Sequence, residues 1–192
     1  MSGSRPTDPA PRPRLELWLA QGLGLGRLPC APGTWGSLAG LGWFALLSAT
    51  ASFWAYLAGV IGGFLCAVWL CGVAAESLGH PDPPSVVLDE IVAVPVCFVV
   101  WIGMAVGARG HWPPPGFCFG SGNWLPTLGI LVLFRLFDVV KPWPVRQSQA
   151  LPRGWGIAID DTLAALYVNL VVGVVALLHH WLVTGHRQTG IS

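Results

Sequence analysis

The chain has 192 residues, of which 54% are hydrophobic and 10% are charged, whereas an average soluble domain has about 25% charged residues. This deficit of charge predicts a membrane protein, and the length indicates a single domain. A net charge of +1 without a basic block excludes a typical nucleic-acid-binding surface. The five cysteines contain no C-x-x-C pair, so no disulfide framework is expected.

The first 21 residues form an N-terminal segment ahead of the apolar part of the chain. Residues 1–14 are polar and rich in proline, which predicts disorder and argues against a cleavable signal peptide. Residues 15–21 have an amphipathic pattern that favours a helix on the membrane surface. We expect residues 22–183 to form the membrane domain and residues 184–192 to form a polar tail.

Apolar segments dominate the membrane domain. No charged residue occurs between Arg27 and Glu76, a gap of 48 residues with room for two spans of about 20 residues each. The predicted spans cover about residues 38–56, 57–75, 91–108, 124–140 and 162–182. Because glycine- and proline-rich runs also form re-entrant or interfacial helices, the prediction is an all-α, multihelical integral membrane bundle of about four to six apolar helices.

Basic residues are distributed unequally between the two sides of this bundle. With the N-terminus in the cytoplasm, two basic residues, Arg109 and Arg187, fall outside, and seven fall inside. The bias toward positive charge in the cytoplasm favours this orientation. The seven are Arg5, Arg12, Arg14, Arg27, Lys141, Arg146 and Arg153.

In this topology, three charged stretches at the ends of apolar segments all lie at the cytoplasmic face. They are Asp89 with Glu90, Arg135 with Asp138 and Lys141, and Asp160 with Asp161. The three-residue spacing of the middle stretch predicts one charged arc on a helix, which ends before Pro142 because proline lacks an N–H and disfavours helix in the residue before it.

The acids predict a cation site. A carboxylate within the hydrocarbon zone costs several kcal/mol unless it is paired or bound to a metal, and oxygen ligands suit Mg²⁺ together with a phosphate substrate. Arg135 and Lys141 are natural phosphate binders. The alternative is purely structural, in which the acids pair with these two cations or with helix N-termini, and Arg135 and Lys141 snorkel.

A glycine-rich turn precedes the first long apolar segment. Thr34 or Ser37 is predicted to cap the helix there and to bind a phosphate oxygen, since free N–H groups at a helix start attract anions. The lysine of a Walker loop is missing, and an ordinary capped turn is the alternative. The motifs of cysteine phosphatases, aspartyl-phosphate enzymes and histidine-based lipid phosphatases are also missing, which leaves metal-assisted attack by water on a phosphate.

Four segments, in this order along the chain, resemble the phosphatidylglycerophosphatase A family. They are LPCAPGTWGSL (28–38), VVLDE (86–90), FRLFDVVKPWP (134–144) and GIAIDD (156–161). The resemblance extends from about residue 22 to about residue 181. The chain differs from the usual family pattern at Ala93, at Ala158 and at Ala164 and Ala165, where every charged position is kept.

The resemblance implies a Mg²⁺-dependent phosphatase of the bacterial inner membrane. Its lipid substrate would be phosphatidylglycerophosphate, hydrolysed to phosphatidylglycerol and inorganic phosphate in phospholipid biosynthesis, with the active site facing the cytoplasm. The expected metal ligands are Asp89, Glu90, Asp160 and Asp161. The expected catalytic residues are Asp89, Glu90, Asp138 and Asp161, and the expected phosphate-binding residues are Thr34, Ser37, Arg135 and Lys141.

Three other functions stay open. An ion-coupled transporter also uses intramembrane acids, but it favours acids near the midplane and internal repeats, and neither is visible here. A phosphatase for another lipid phosphate, such as a prenyl or sphingoid phosphate, shares the same chemistry. A non-catalytic scaffold does not account for the shared charged face. Direct attack by a carboxylate on phosphorus also stays open beside attack by water.

Overall fold

The computed structural model describes residues 14–114 and 116–189. The disorder predicted for residues 1–14 is wrong at Arg14, where a helix begins, and otherwise lies outside the described residues, as does the end of the polar tail. All regular structure in the described part is helical, which confirms the predicted fold class. The helices are α1 (Arg14–Ala20), α2 (Pro32–Ala49), α3 (Phe53–Leu78), α4 (Leu88–Cys97), α5 (Val99–Arg109), α6 (Trp124–Val140), α7 (Val145–Ser148) and α8 (Gly154–Thr189).

Three segments of the described chain are long and apolar enough to cross a membrane. They are α3, the α4–α5 pair over Leu88–Arg109, and α8 over Gly154–Val183. The predicted segments at 38–56 and 124–140 correspond to α2 and α6, which are helical but are not among these three. The number of candidate spans is therefore smaller than the number of apolar helices.

Two predicted boundaries are wrong in ways that affect the site. α2 begins at Pro32, six residues before the predicted span, because proline is well suited to the first turn of a helix. α8 begins at Gly154 and not near Thr162, so Asp160 and Asp161 lie in its second turn and project from a helix.

Small residues let the helices around the site approach closely. A Cβ added to Gly40 on α2 would stand 2.7 Å from the Val94 side chain on α4, and one added to Gly154 on α8 would stand 1.8 Å from the Val68 carbonyl oxygen on α3. Such close contacts stabilise helix pairs by van der Waals packing where lipid and side chain are equally apolar. These contacts hold α2 against α4 and α8 against α3.

The hydrophobic core lies directly beneath the charged residues. Phe44 and Phe98 stack with ring centroids 4.1 Å apart, and Phe134 is fully buried beside them. The alanines that depart from the family pattern at 93, 164 and 165 belong to the same core cluster. The short helix α1 packs against α3 through Leu17 and Ala20.

Candidate active site

A cavity of about 410 Å³ opens where the start of α2, the start of α4, the end of α6 and the second turn of α8 meet. The loop between α3 and α4 completes its wall. All seven charged residues of the three predicted stretches line it, which confirms that these stretches come together. They are Asp89, Glu90, Arg135, Asp138, Lys141, Asp160 and Asp161.

The end of α6 carries three of these charges on one side. Arg135 Nη1 lies 2.9 Å from Asp138 Oδ2, and Lys141 Nζ lies 4.0 Å from Asp138 Oδ1, both across three residues. The helix ends at Val140, and Lys141 takes a left-handed conformation with φ of 46° while its N–H donates to the Phe137 carbonyl. The helix end predicted from Pro142 is confirmed.

Both cations also reach a carboxylate on another helix. Arg135 Nη1 donates to Glu90 Oε1 on α4 at 2.8 Å, and Lys141 Nζ donates to Asp160 Oδ2 on α8. Burial lowers the pKa of Lys141, but its hydrogen bond to Asp160 and the nearby negative charges outweigh burial and raise this pKa above its usual range. Lys141 therefore keeps its positive charge at neutral pH.

Asp160 is the acid most completely occupied by protein donors. Its Oδ2 accepts from Lys141 and, at 2.9 Å, from Gln149 Nε2, while its Oδ1 accepts from the backbone N–H of Asp161 at 3.0 Å. Asp160 therefore holds the Lys141 side chain in position.

Other acids of the cavity keep oxygens without a partner. Asp89 Oδ1, Glu90 Oε2 and Asp161 Oδ2 are buried and make no hydrogen bond in the described structure. Buried carboxylates are normally paired, because an uncompensated buried charge costs several kcal/mol. A cation bound in the cavity would give these oxygens such a partner.

The donor set suits a hard divalent cation. Mg²⁺ prefers carboxylate oxygens and water, and the unpaired oxygens of Asp89 and Asp161 are of that kind. Among the described residues, no three acidic, histidine or cysteine side chains stand close enough together to form a complete metal site. The chemistry of the unpaired oxygens fits Mg²⁺.

The structure corrects the predicted role of the α2 turn. Ala31 is the N-cap residue and no side chain caps the helix, so the caps predicted from Thr34 and Ser37 are wrong. Ser37 is fully buried, and its hydroxyl donates to the Gly33 carbonyl at 2.9 Å. Thr34 is exposed, and neither residue belongs to the described cavity wall, to which this turn contributes Ala31, Pro32 and Gly33 instead.

Sequence reasoning missed two polar residues of the site. Asp82 lines the cavity from the loop before α4, and Gln149 supports Asp160 from beyond α7. Asp82 carried a usable signal, since it is a further acid close before Asp89 on the same predicted face. Gln149 carried none, because a neutral amide in a polar loop has no pattern that marks its contact.

The residues of the site lie in a segment whose sequence matches a known family. The sequence profile of the phosphatidylglycerophosphatase A family matches residues 18–176 of this chain. The chain belongs to the phosphatidylglycerophosphatase A family. This membership supports phosphatidylglycerophosphate phosphatase as the activity and confirms the resemblance seen in the four sequence segments.

Relatives from three bacteria cover most of the chain. Phosphatidylglycerophosphatase A of Haemophilus influenzae is 36% identical over 155 residues, which are 80% of this chain and 84% of that protein. Phosphatidylglycerophosphatase A of Escherichia coli K12 is 31% identical over 165 residues, with coverages of 85% and 83%. A Bacteroides thetaiotaomicron protein, described as a candidate phosphatidylinositol-3-phosphatase, is 34% identical over 165 residues, with coverages of 83% and 92%. No solved structure matches the chain.

The Gly33→Ala variant tests whether phosphatase activity depends on the position of the Glu90–Arg135 ion pair. A Cβ at Gly33 would stand 2.2 Å from Glu90 Oε1 and 2.8 Å from both terminal nitrogens of Arg135. These are the far ends of flexible side chains, so Gly33→Ala should move the pair and leave the fold intact. We expect activity to fall about 10²-fold, since a shift of about 1 Å at an active site has such an effect.

Gly42 on the same helix provides the matched control. A Cβ there meets nothing within 4 Å. Gly42→Ala should keep full activity and change the free energy of unfolding by no more than about 1 kcal/mol, in the stabilising direction. Equal activity of the two alanine variants would show that the Gly33 contact is unimportant.

Gln149 should act on substrate binding through Asp160 and Lys141. Gln149→Leu removes one hydrogen bond to a buried carboxylate, and we expect KM and the inhibition constant for inorganic phosphate to rise about tenfold, the scale of one bond to a charged group. Gln147→Leu, at an exposed position two residues earlier, is the control. A lower Tm with unchanged KM would instead assign Gln149 a purely structural role.

Proposed function

We propose that this protein binds Mg²⁺ in the acid-lined cavity and uses it to hydrolyse the terminal phosphate of phosphatidylglycerophosphate, giving phosphatidylglycerol and inorganic phosphate. One observation supports this most strongly. Asp89 and Asp161, each of which keeps a buried oxygen without a partner, line the same cavity as two fixed cations, Arg135 and Lys141. A bound metal would neutralise the two acids, and a bound phosphate would pair with the two cations beside them.

Arg135 and Lys141 would bind the phosphate. The ion pairs of Arg135 with Glu90 and Asp138 both use Nη1, and a guanidinium has further N–H groups that can bind phosphate oxygens. Lys141 is held by Asp160 and has three N–H donors in all, so it can bind a phosphate oxygen without leaving Asp160. Fixed in this way, the two cations would offset the charge that develops as the P–O bond breaks.

The acids divide into two groups. Asp89 and Asp161 would hold the metal through their unpaired oxygens, whereas Glu90 and Asp160, which the sequence also predicted as ligands, would orient Arg135 and Lys141. When bound, Mg²⁺ lowers the pKa of a coordinated water and neutralises phosphate charge. Glu90 and Asp138, the two acids paired with Arg135, are the proposed acceptors of the proton of the attacking water.

We place the protein in the bacterial inner membrane with the cavity facing the cytoplasm. Lys141 belongs to the cavity, and Arg146 and Arg153 follow it before α8 begins, whereas Arg109 lies at the far end of the α4–α5 segment. An excess of basic residues on the cavity side supports a cytoplasmic orientation. The lipid phosphate would enter from the surface while its acyl chains stay in the leaflet.

A second candidate is hydrolysis of another lipid phosphomonoester. The relative described as a candidate phosphatidylinositol-3-phosphatase favours it, since that chain is 34% identical to this one. An ion-coupled transporter is disfavoured, because the acids lie in the first turn of α4 and the second turn of α8 and not at mid-span.

Phosphate release by the purified protein from a panel of lipids separates these functions. The panel contains phosphatidylglycerophosphate, phosphatidylinositol 3-phosphate, a prenyl phosphate and a sphingoid phosphate, each with and without Mg²⁺. We expect release from phosphatidylglycerophosphate to exceed the others at least tenfold in kcat/KM. A preference for a different lipid would reassign the substrate. No phosphate release from any of these lipids would refute the proposed phosphatase activity.

A further inference from the structure

We propose that an acyl chain of the lipid substrate lies along one exposed apolar face of α6 that leads directly into the acid cavity. We call this face the α6 stripe; it consists of Leu128, Val132, Leu136 and Val139. The proposal rests on the proposed lipid phosphatase function and adds to it the place where the apolar part of the substrate binds.

The α6 stripe is a continuous surface. Its four side chains are 47%, 59%, 51% and 72% exposed, in chain order. With about 100° of rotation per residue they project within an arc of about 80°, immediately to one side of Arg135. Asp138 projects to the other side of Arg135, toward the acids. One helix therefore presents the phosphate-binding group at the boundary between a charged face and an apolar face.

Val139 joins the stripe to the cavity. It lines the cavity beside Asp138 and Lys141, and it is also the most exposed of the four stripe residues. Among the described residues of the cavity wall, it is the one large hydrophobic side chain that is exposed. The exposed apolar residues of α8, such as Leu166 and Leu170, do not line the cavity. An apolar chain leaving the cavity therefore meets α6 first.

The dimensions suit a membrane lipid. Leu128 and Val139 are eleven residues apart, a rise of about 16 Å along the helix, and the hydrocarbon of one leaflet is about 15 Å thick. A phosphate held by Arg135 and Lys141 would place the start of the acyl chain at Val139 and its end near Leu128. In a bilayer, ordinary lipid would cover the other apolar faces, so the α6 stripe alone should show binding that depends on the substrate's phosphate.

Photocrosslinking tests this difference directly. The probe is phosphatidylglycerophosphate with a diazirine in one acyl chain, added without Mg²⁺ to the Asp161→Asn variant in phosphatidylcholine vesicles. This variant does not consume the probe and keeps Arg135 and Lys141, which hold its phosphate. We expect mass spectrometry to find label on the α6 stripe, reduced about tenfold by a tenfold excess of unlabelled phosphatidylglycerophosphate, by mass action. Phosphatidylcholine carrying the same diazirine should label α6 and α8 alike, without displacement by that competitor.

Other labelling patterns would overturn the proposal. Displaceable label on α8 or on α2 would assign the chain to another face. Label on the α6 stripe that unlabelled substrate does not displace would mean that ordinary bilayer lipid covers it. Loss of α6 labelling as the protein concentration rises, with a matching change in oligomeric state, would mean that a second copy covers it.

A kinetic measurement gives an independent answer. Val139→Trp narrows the junction between stripe and cavity, and Val175→Trp places the same change on α8, where Val175 is 59% exposed. We expect Val139→Trp to lower kcat/KM for a long-chain substrate about tenfold more than for dihexanoyl phosphatidylglycerophosphate, whereas Val175→Trp should keep the wild-type ratio. If the enzyme is active and both variants keep the wild-type ratio of the two kcat/KM values, the role proposed for the α6 stripe is refuted and the proposed function is not. An inactive wild-type protein would refute the proposed function.

Discussion

Asp161→Asn is expected to abolish phosphate release while the protein stays folded, and Asp89→Asn should have the same effect. Asparagine keeps the size of the side chain but removes the negative charge that would hold a cation. The loss should be about 10²- to 10³-fold or more, the range observed when one charge-stabilising group is removed from a preorganised site. Phosphate release from phosphatidylglycerophosphate in detergent micelles, with Tm measured on the same samples, is the test.

The direction of the change in Tm adds a second criterion. Asp89 and Asp161 each keep a buried oxygen without a partner, so removing either charge should leave the metal-free protein equally or more stable. Glu76→Gln is the matched control, since Glu76 is exposed and pairs with Arg153 at the surface, 3.1 Å away. A folded Asp161→Asn protein with wild-type turnover would eliminate the proposed metal site.

Removal of Mg²⁺ is expected to have an effect of similar size. EDTA should reduce phosphate release to background, because the two anionic groups that meet in the cavity, the acids and the substrate phosphate, would then repel each other. Added Mg²⁺ should restore the full rate. Activity that persists after exhaustive chelation would remove the metal from the mechanism and leave the fixed cations as the only charge partners of the phosphate.

A binding measurement separates a metal bound by the protein from a metal bound only by the substrate. A ligand that binds the folded state raises its stability by mass action, so Mg²⁺ alone should raise the Tm of the wild-type protein. The same addition should leave the Tm of Asp161→Asn unchanged, while Glu76→Gln should respond as the wild type does. Equal responses of all three proteins would place the bound Mg²⁺ elsewhere.

Local sequence patterns predicted much of this structure. The charged end of α6 follows from residues at intervals of three and from a proline that stops the helix, both of which act within one or two turns. The helical membrane class follows from composition. The start predicted for α8 was wrong because an apolar pattern shows only where a helix can enter lipid. The helix itself begins earlier, at Gly154, in a more polar stretch.

The number of spans could not be predicted for a related reason. α2 and α6 are apolar helices of 18 and 17 residues, close to the shortest length that crosses a bilayer. Glycine and proline lower the hydropathy of α2 without preventing its helix, because α4 packs closely against its small residues. Composition therefore separates lipid-compatible segments from polar ones but does not separate a span from a packed apolar helix.

By itself the sequence determined that this protein is a helical membrane protein of the phosphatidylglycerophosphatase A family and that its charges gather at helix ends. Only the tertiary structure decided which charges are satisfied. Arg135 meets Glu90 across 45 residues of chain, and Gln149 meets Asp160 from a separate loop, so no local period encodes either contact. Asp89 and Asp161 are distinguished from Asp160 by the donors that packing brings to them, and hydrogen-bond partners of that kind exist only once the helices have assembled.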